Sequence, residues 1–149
     1  MLDDVDAVCG LLQKGEIVAI KGLGGYQLAC DATREDAVTR LRQLKRRDAK
    51  PFALMARDLD IIRRYCEVSV EEERLLKSPE APIVLMTANG REQLPQAIAP
   101  ALTTLGFMLP TTPLHLLILR RMNRAVVMTS GNLSDEPHVI NEAEAQERL

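Results

Sequence analysis

Aromatic residues are nearly absent: two Phe, two Tyr and no Trp in 149 residues. With Tyr26, Phe52, Tyr65 and Phe107 as its complement, the chain lacks the row of exposed rings on which single-stranded nucleic acid stacks. Its core must be built from Leu, Ile, Val, Ala and Met. Cysteine is equally sparse. Cys9, Cys30 and Cys66 are odd in number and widely spaced, and only His115 and His138 accompany them, so neither a disulfide framework nor a zinc-ligand cluster can be assembled. No metal site is expected in the protein itself, and unpaired thiols fit a reducing, cytoplasmic setting. No apolar run approaches the roughly 18 residues of a membrane span, and the opening MLDDVDAVCG is acidic and amphipathic, unlike a secretory signal. No membrane partner is implied. Positive charge is not in excess either. Nineteen Lys and Arg against 21 Asp and Glu leave a net charge of −2, which argues against a dedicated nucleic-acid domain.

What is present is an ordinary globular composition, 46% hydrophobic and 27% charged, far from the signature of disorder. Val5, Val8, Leu11 and Leu12 recur at helical spacing within Asp3 to Lys14, and Gly15 stands where a left-handed cap belongs. EIVAI (Glu16 to Ile20) reads as a strand, ended by the glycines of KGLGG (Lys21 to Gly25). Thr33 and Asp36 form a Thr-x-x-Asp capping signal for a helix running to about Arg47. Pro51 to Ala56, Ile83 to Thr87 and Ala125 to Met128 read as strands. Leu59 to Cys66, Val70 to Lys77 and a segment from Pro113 to about Arg121 read as helices, the last with Pro at its first position. Ala88 to Thr104 reads as a surface loop, and the acidic tail from Asn141 as a helix. Short apolar runs alternating with amphipathic helices predict a single α/β sheet domain.

Three segments carry candidate chemistry. From Arg40 to Lys50 six basic residues stand with one acid, a local charge of about +5 in a protein of net charge −2. Arg and Lys at this density suit the oxygens of a polyphosphate or carboxylate. The same pattern also describes a solvated, dipole-favoured helix end. KGLGG follows a strand and would let backbone amides approach a phosphate, with Lys21 adding charge. It is neither a Walker loop nor a complete GxGxxG, because Gln27 occupies the last glycine's place, and a tight loop explains it as well. Thr129, Ser130, Gly131 and Asn132 follow a buried strand, and ligands of open α/β sheets collect beyond strand carboxyl ends. Their hydroxyls and amide would bind phosphate or ribose without adding charge; a plain turn would use the same residues. His115, in an otherwise apolar helix, reads as a core histidine. Cys30 has no activating neighbour and is not a nucleophile.

Four blocks read together change the weight of these signals. They are KGLGGYQLACDAT (Lys21 to Thr33), KRRDAKPFALM (Lys45 to Met55), LGFMLPTTPLHLLIL (Leu105 to Leu119) and MTSGNLSDEP (Met128 to Pro137). In order and approximate spacing they resemble the YrdC-like domain of the HypF family, carbamoyltransferases of nickel–iron hydrogenase maturation. The resemblance implies a twisted, mixed α/β sheet flanked by helices, with a concave basic face. It implies that Lys45 and Arg47 match a Lys-x-Arg motif and act as the catalytic cations. Lys50, Thr129, Ser130 and Asn132 would complete the nucleotide site. Lys21, Gly24, Gly25 and Tyr26 would belong to the carbamoyl pocket. ATP, with Mg²⁺ carried by the nucleotide, is the implied cofactor. Carbamate derived from carbamoyl phosphate is the implied co-substrate, and HypE is the acceptor protein of the full-length enzyme, on the way to cyanide ligands of the hydrogenase iron.

Two departures separate the chain from relatives that make threonylcarbamoyl-adenylate for tRNA modification. Met108 stands where those carry Arg, and Lys21, Gly22, Leu23 and Gly24 stand where they carry a Pro-Thr-Glu type motif. Both favour the HypF-like version. Family members continue beyond the Ser-x-Asn block, so residues 1–149 are expected to be a single domain fragment without its last elements and without the other HypF domains. Two alternatives remain open: the threonine-using synthase, and a non-catalytic module that binds double-stranded RNA through its basic face.

Overall fold

A computed structural model describes residues 2–22, 25–45, 50–99, 103–131 and 138–139. Helix α1 (Leu2–Gln13) leads into strand β1 (Val18–Gly22), then β2 (Gly25–Asp31) and helix α2 (Glu35–Lys45). Strand β3 (Ala53–Met55) is followed by α3 (Leu59–Arg63), α4 (Val70–Leu76) and β4 (Val84–Thr87). A 3-10 turn at Gln96–Ile98, β5 (Thr104–Met108), α5 (Pro113–Arg121), β6 (Val126–Ser130) and the short β7 (His138–Val139) complete the order. The strands form one open sheet in the order β4-β5-β3-β6-β2-β1-β7, parallel at β3/β5 and β1/β7 and antiparallel elsewhere. The alternation of runs predicted an α/β sheet, and the family resemblance implied that it would be mixed, as it is.

Each face of the sheet has its own core. On one side Val18, Ala29, Met55 and Met128 pack against α1 and α5 through Val8, Leu12 and Ile118. On the other, Leu28, Leu54, Phe107 and Val127 pack against α2 and α3 through Val38, Leu41 and Ile62. Strands covered on both faces carry near-continuous apolar runs, which is why IVAI and AVVM show no alternation. Helix α5 does not reach the far edge of its face. The sheet is left open there over β4, β5 and β3, where Ile83 and Leu85 are 53% and 65% exposed.

Several sequence expectations need correction. Gly22 and Gly25 of KGLGG do not end regular structure. Gly22 and Gly25 are paired across the end of a β1–β2 hairpin, and Gly25 takes φ +118°, a value open to glycine. Strand β2, absent from the sequence reading, is buried on both faces from Leu28 to Asp31 and so lacks an alternating pattern there. Strand β5 was equally hidden. Thr33 does not cap α2: its hydroxyl donates to Asp31 Oδ1 at 2.6 Å, its backbone N–H donates to the same oxygen at 2.9 Å, and the helix starts at Glu35. A fully buried carboxylate that also meets Arg124 Nη1 at 3.1 Å outcompetes the helix end for that hydroxyl. The Ala88 to Thr104 stretch is not wholly surface loop, since Ile98 is buried and its carbonyl accepts the Phe52 N–H at 2.8 Å. The expected tail helix from Asn141 lies outside the described residues.

Candidate functional site

Strand β6 emerges from the core at its carboxyl end: Thr129 is buried and Ser130 exposed. Antiparallel pairing sets Ser130 beside Gln27 of β2, and the Gly131 N–H donates to the Tyr26 carbonyl at 2.9 Å. A side chain at Gly131 would sit 2.6 Å from Tyr26 Cβ, so glycine is what lets the strand end close on the hairpin. Helix α2 ends beside them. Lys45 Nζ donates to the Ser130 carbonyl at 2.7 Å and to Ser130 Oγ at 3.0 Å.

One turn earlier, Arg42 donates to the carbonyls of Ala97 and Ile98 and lies over the Phe52 ring, 4.3 Å from its centre. Arg40 donates to the Gly15 carbonyl. Two of the six cations in the Arg40 to Lys50 segment therefore brace the fold. Arg42 in particular steadies the entry to β3, where exposed Lys50 precedes Pro51.

These pieces meet at a cleft of about 760 Å³ over the uncovered part of the sheet. Gly25, Tyr26, Thr129 and Ser130 line one end, with Pro51 and Phe52 beside them. The floor is Ala53, Gly106, Met108 and Met128, with Leu85 from the edge strand and Ile83 just before it. The remaining wall is the amino end of α5: Thr111, Thr112 and His115. Thr112 caps that helix by accepting the His115 N–H at 3.1 Å, with Pro113 in the first turn.

Among the described lining residues none is Asp, Glu, Lys or Arg. The basic character belongs to the rim: Lys45 bonded to Ser130, Lys50 next to Pro51, and Lys21, whose Nζ is 6.0 Å from the Tyr26 ring centre. Arg47, Gly24 and Asn132 lie outside the described residues. His115 is buried, as expected for a core histidine, yet it also lines the cleft, a role its sequence position did not disclose. Gly106 and Leu85 were missed as well, because the β4–β5 pairing that joins them was not visible.

The strongly displaced titrations lie away from the cleft. Burial pushes the Cys66 thiol up to about 12. Cys30 is raised further, by burial first and Asp31 second, which keeps it a neutral, inert thiol. No group of three or more His, Cys, Asp or Glu among the described residues could hold a metal ion. No described helix is long and apolar enough to cross a membrane.

Residues 10–149 match the Sua5/YciO/YrdC family model, described as telomere recombination. The chain belongs to this family. Carbamoyltransferase HypF of Rhodobacter capsulatus is 53% identical over 147 residues, covering 99% of this chain and 20% of the relative. A crystal structure of full-length HypF in a phosphate- and nucleotide-bound form superimposes with a TM-score of 0.85 at 48% identity, covering 98% of this chain and 19% of that one. Threonylcarbamoyl-AMP synthase of Mus musculus, at 28% identity over 137 residues, covers 91% of this chain and 49% of the relative. The Sua5/YciO/YrdC chain described here thus spans about a fifth of the HypF proteins it matches.

Proposed function

We propose that this chain is the YrdC-like domain of a HypF-type carbamoyltransferase and joins carbamate to the adenylyl group of ATP. The observation that carries the reading is the Lys45–Ser130 contact at the mouth of one cleft that also holds Gly25, Tyr26 and Thr129. The phosphate and nucleotide of the HypF relative support ATP as the ligand.

In the step proposed, one carbamate oxygen attacks the α-phosphorus of ATP. The bond from that phosphorus to the oxygen bridging the β-phosphate breaks, and its electron pair leaves on pyrophosphate. No proton needs to move. What the site must supply is fixed positive charge and neutral donors around the leaving group. Lys45, Lys50 and Arg47 would hold the phosphates; Thr129, Ser130 and Asn132 would orient them. Lys21, Gly24, Gly25 and Tyr26 would close over the carbamoyl end.

Mg²⁺ would enter with ATP, held by phosphate oxygens and water, since the described lining has hydroxyls but no carboxylate to offer it. In the longer protein, carbamate would come from carbamoyl phosphate, and the carbamoyl group would pass to HypE toward hydrogenase cyanide ligands.

Among the described lining residues none is a carboxylate that would pair with the ammonium of an amino acid, which counts against the threonine-using alternative. Occupation of Arg40 and Arg42 within the fold thins the cation set available to double-stranded RNA. Pyrophosphate release from ATP decides the matter. Release dependent on carbamate, and lost in Lys45→Ala and Arg47→Ala, is expected. Dependence on L-threonine and bicarbonate, unchanged turnover in both variants, or salt-sensitive RNA binding that ATP does not displace would overturn it.

A further inference from the structure

Gln27 is the only carboxamide among the described residues lining the cleft. Alternation along β2 puts it on the face of Ala29, while Leu28 turns to the opposite core, and alternation along β6 puts Ser130 on the face of Met128. Gln27 and Ser130 are register partners. Because the Gly131 N–H bonds the Tyr26 carbonyl, the neighbouring Gln27/Ser130 pair is of the non-hydrogen-bonded kind, in which side chains stand closest. Gln27 is half-buried, its amide makes no hydrogen bond among the described residues, and neither amide atom is sealed from solvent. A donor and an acceptor thus stand side by side, unspent, next to the hydroxyl that Lys45 holds.

Carbamate presents a matching edge. Its amino group donates and the oxygen beside it accepts, so a primary amide can pair with that edge by two reciprocal hydrogen bonds and leave the second oxygen to attack. We propose that Gln27 selects carbamate: Oε1 accepts from the carbamate –NH2, and Nε2–H donates to the oxygen that becomes the carbonyl of the carbamoyl-adenylate. This deepens the adenylation reading above and rests on it. An acceptor is what tells an amino group from a methyl, and the described lining has no carboxylate to serve as one.

Acetate is the discriminating probe. It has the shape of carbamate with a methyl in place of the amino group, and the same displacement would yield acetyl-adenylate and pyrophosphate. Pyrophosphate release by the 149-residue chain is measured with each carboxylate, and ATP affinity by calorimetry. The parent should prefer carbamate over acetate by at least about tenfold in kcat/KM. Gln27→Met, unbranched and of similar length, should lower kcat/KM for carbamate about 10- to 100-fold, the scale of a lost hydrogen-bonding partner. Acetate use should stay within about threefold and ATP affinity within about twofold, so the preference collapses. Gln27→Glu covers a Met variant that does not fold: its negative charge should depress both carboxylates at least about tenfold. Equal loss with carbamate and acetate in Gln27→Met, weakened ATP binding there, undiminished turnover in either variant, or a parent indifferent to acetate overturns the proposal and leaves the adenylation reading standing. A parent that binds ATP but releases no pyrophosphate with carbamate overturns that reading, and this proposal with it.

Discussion

Lys45 and Ser130, 85 residues apart in the chain, are joined by two hydrogen bonds from one ammonium, 2.7 Å to the carbonyl and 3.0 Å to the hydroxyl. The contact ties the end of α2 to the end of β6, so the basic segment and the hydroxyl turn are one unit rather than two motifs. Lys45→Ala should weaken ATP binding about 10- to 100-fold, the range for a charged hydrogen-bonding group. Ser130→Ala leaves the carbonyl in place and should cost less. Calorimetry on the double variant should reveal coupling of about 1 kcal/mol; strict additivity would mean the two act on the nucleotide independently.

Gly106 sets the depth of the cleft floor. A methyl group there would meet Ile83 Cγ2 at 3.0 Å and Leu85 Cδ2 at 3.3 Å, both on side chains that are more than half exposed. Gly106→Val should therefore keep its unfolding free energy within about 1 kcal/mol of the parent. Its larger side chain fills the floor, and ligand affinity should fall at least about tenfold by the same calorimetric titration. Loss of folding with intact affinity in the residual native fraction would show that the floor is structural only.

Asp36 provides a pH marker outside the cleft. Hydrogen bonds from Arg34, at 3.0 and 2.8 Å, lower its carboxyl from an ordinary 3.8 to about 2. Its folded value lies below its unfolded one, so the pair's contribution is complete above pH 4 or so and disappears as pH falls through about 2. Carbon-detected NMR titration should give a midpoint near the lower value, rising toward the ordinary one in Arg34→Ala. An unchanged midpoint in that variant would assign the shift to another cause.

The elements legible in the sequence were those with local causes. Pro113 after Thr112 marked the start of α5, and the spacing of Val5, Val8 and Leu12 marked α1. Strands β2 and β5 were illegible because their identity lies in distant partners: Cys30 is a strand residue through Val127, and Gly106 through Leu85 and Ala53. The candidate site divided the same way. Gly25, Thr129 and Ser130 followed from turn chemistry at strand ends and Tyr26 from the family resemblance, whereas His115 looked like one more core residue of an apolar helix. Arg40 and Arg42 were counted with the anion-binding cations, since a sequence does not disclose that their guanidinium groups already serve the carbonyls of Gly15, Ala97 and Ile98.

Strand β5 is a single backbone with two different surroundings. Phe107 points into the core, where its ring stacks on Tyr65 at 6.0 Å, while Gly106 and Met108 on either side of it face the cleft. Adjacent codons in this stretch thus answer to separate demands. Substitutions at 107 will be filtered by whether the chain folds, those at 106 and 108 by what the cleft accepts. Ligand preference can drift at the flanking positions while the residue between them stays fixed.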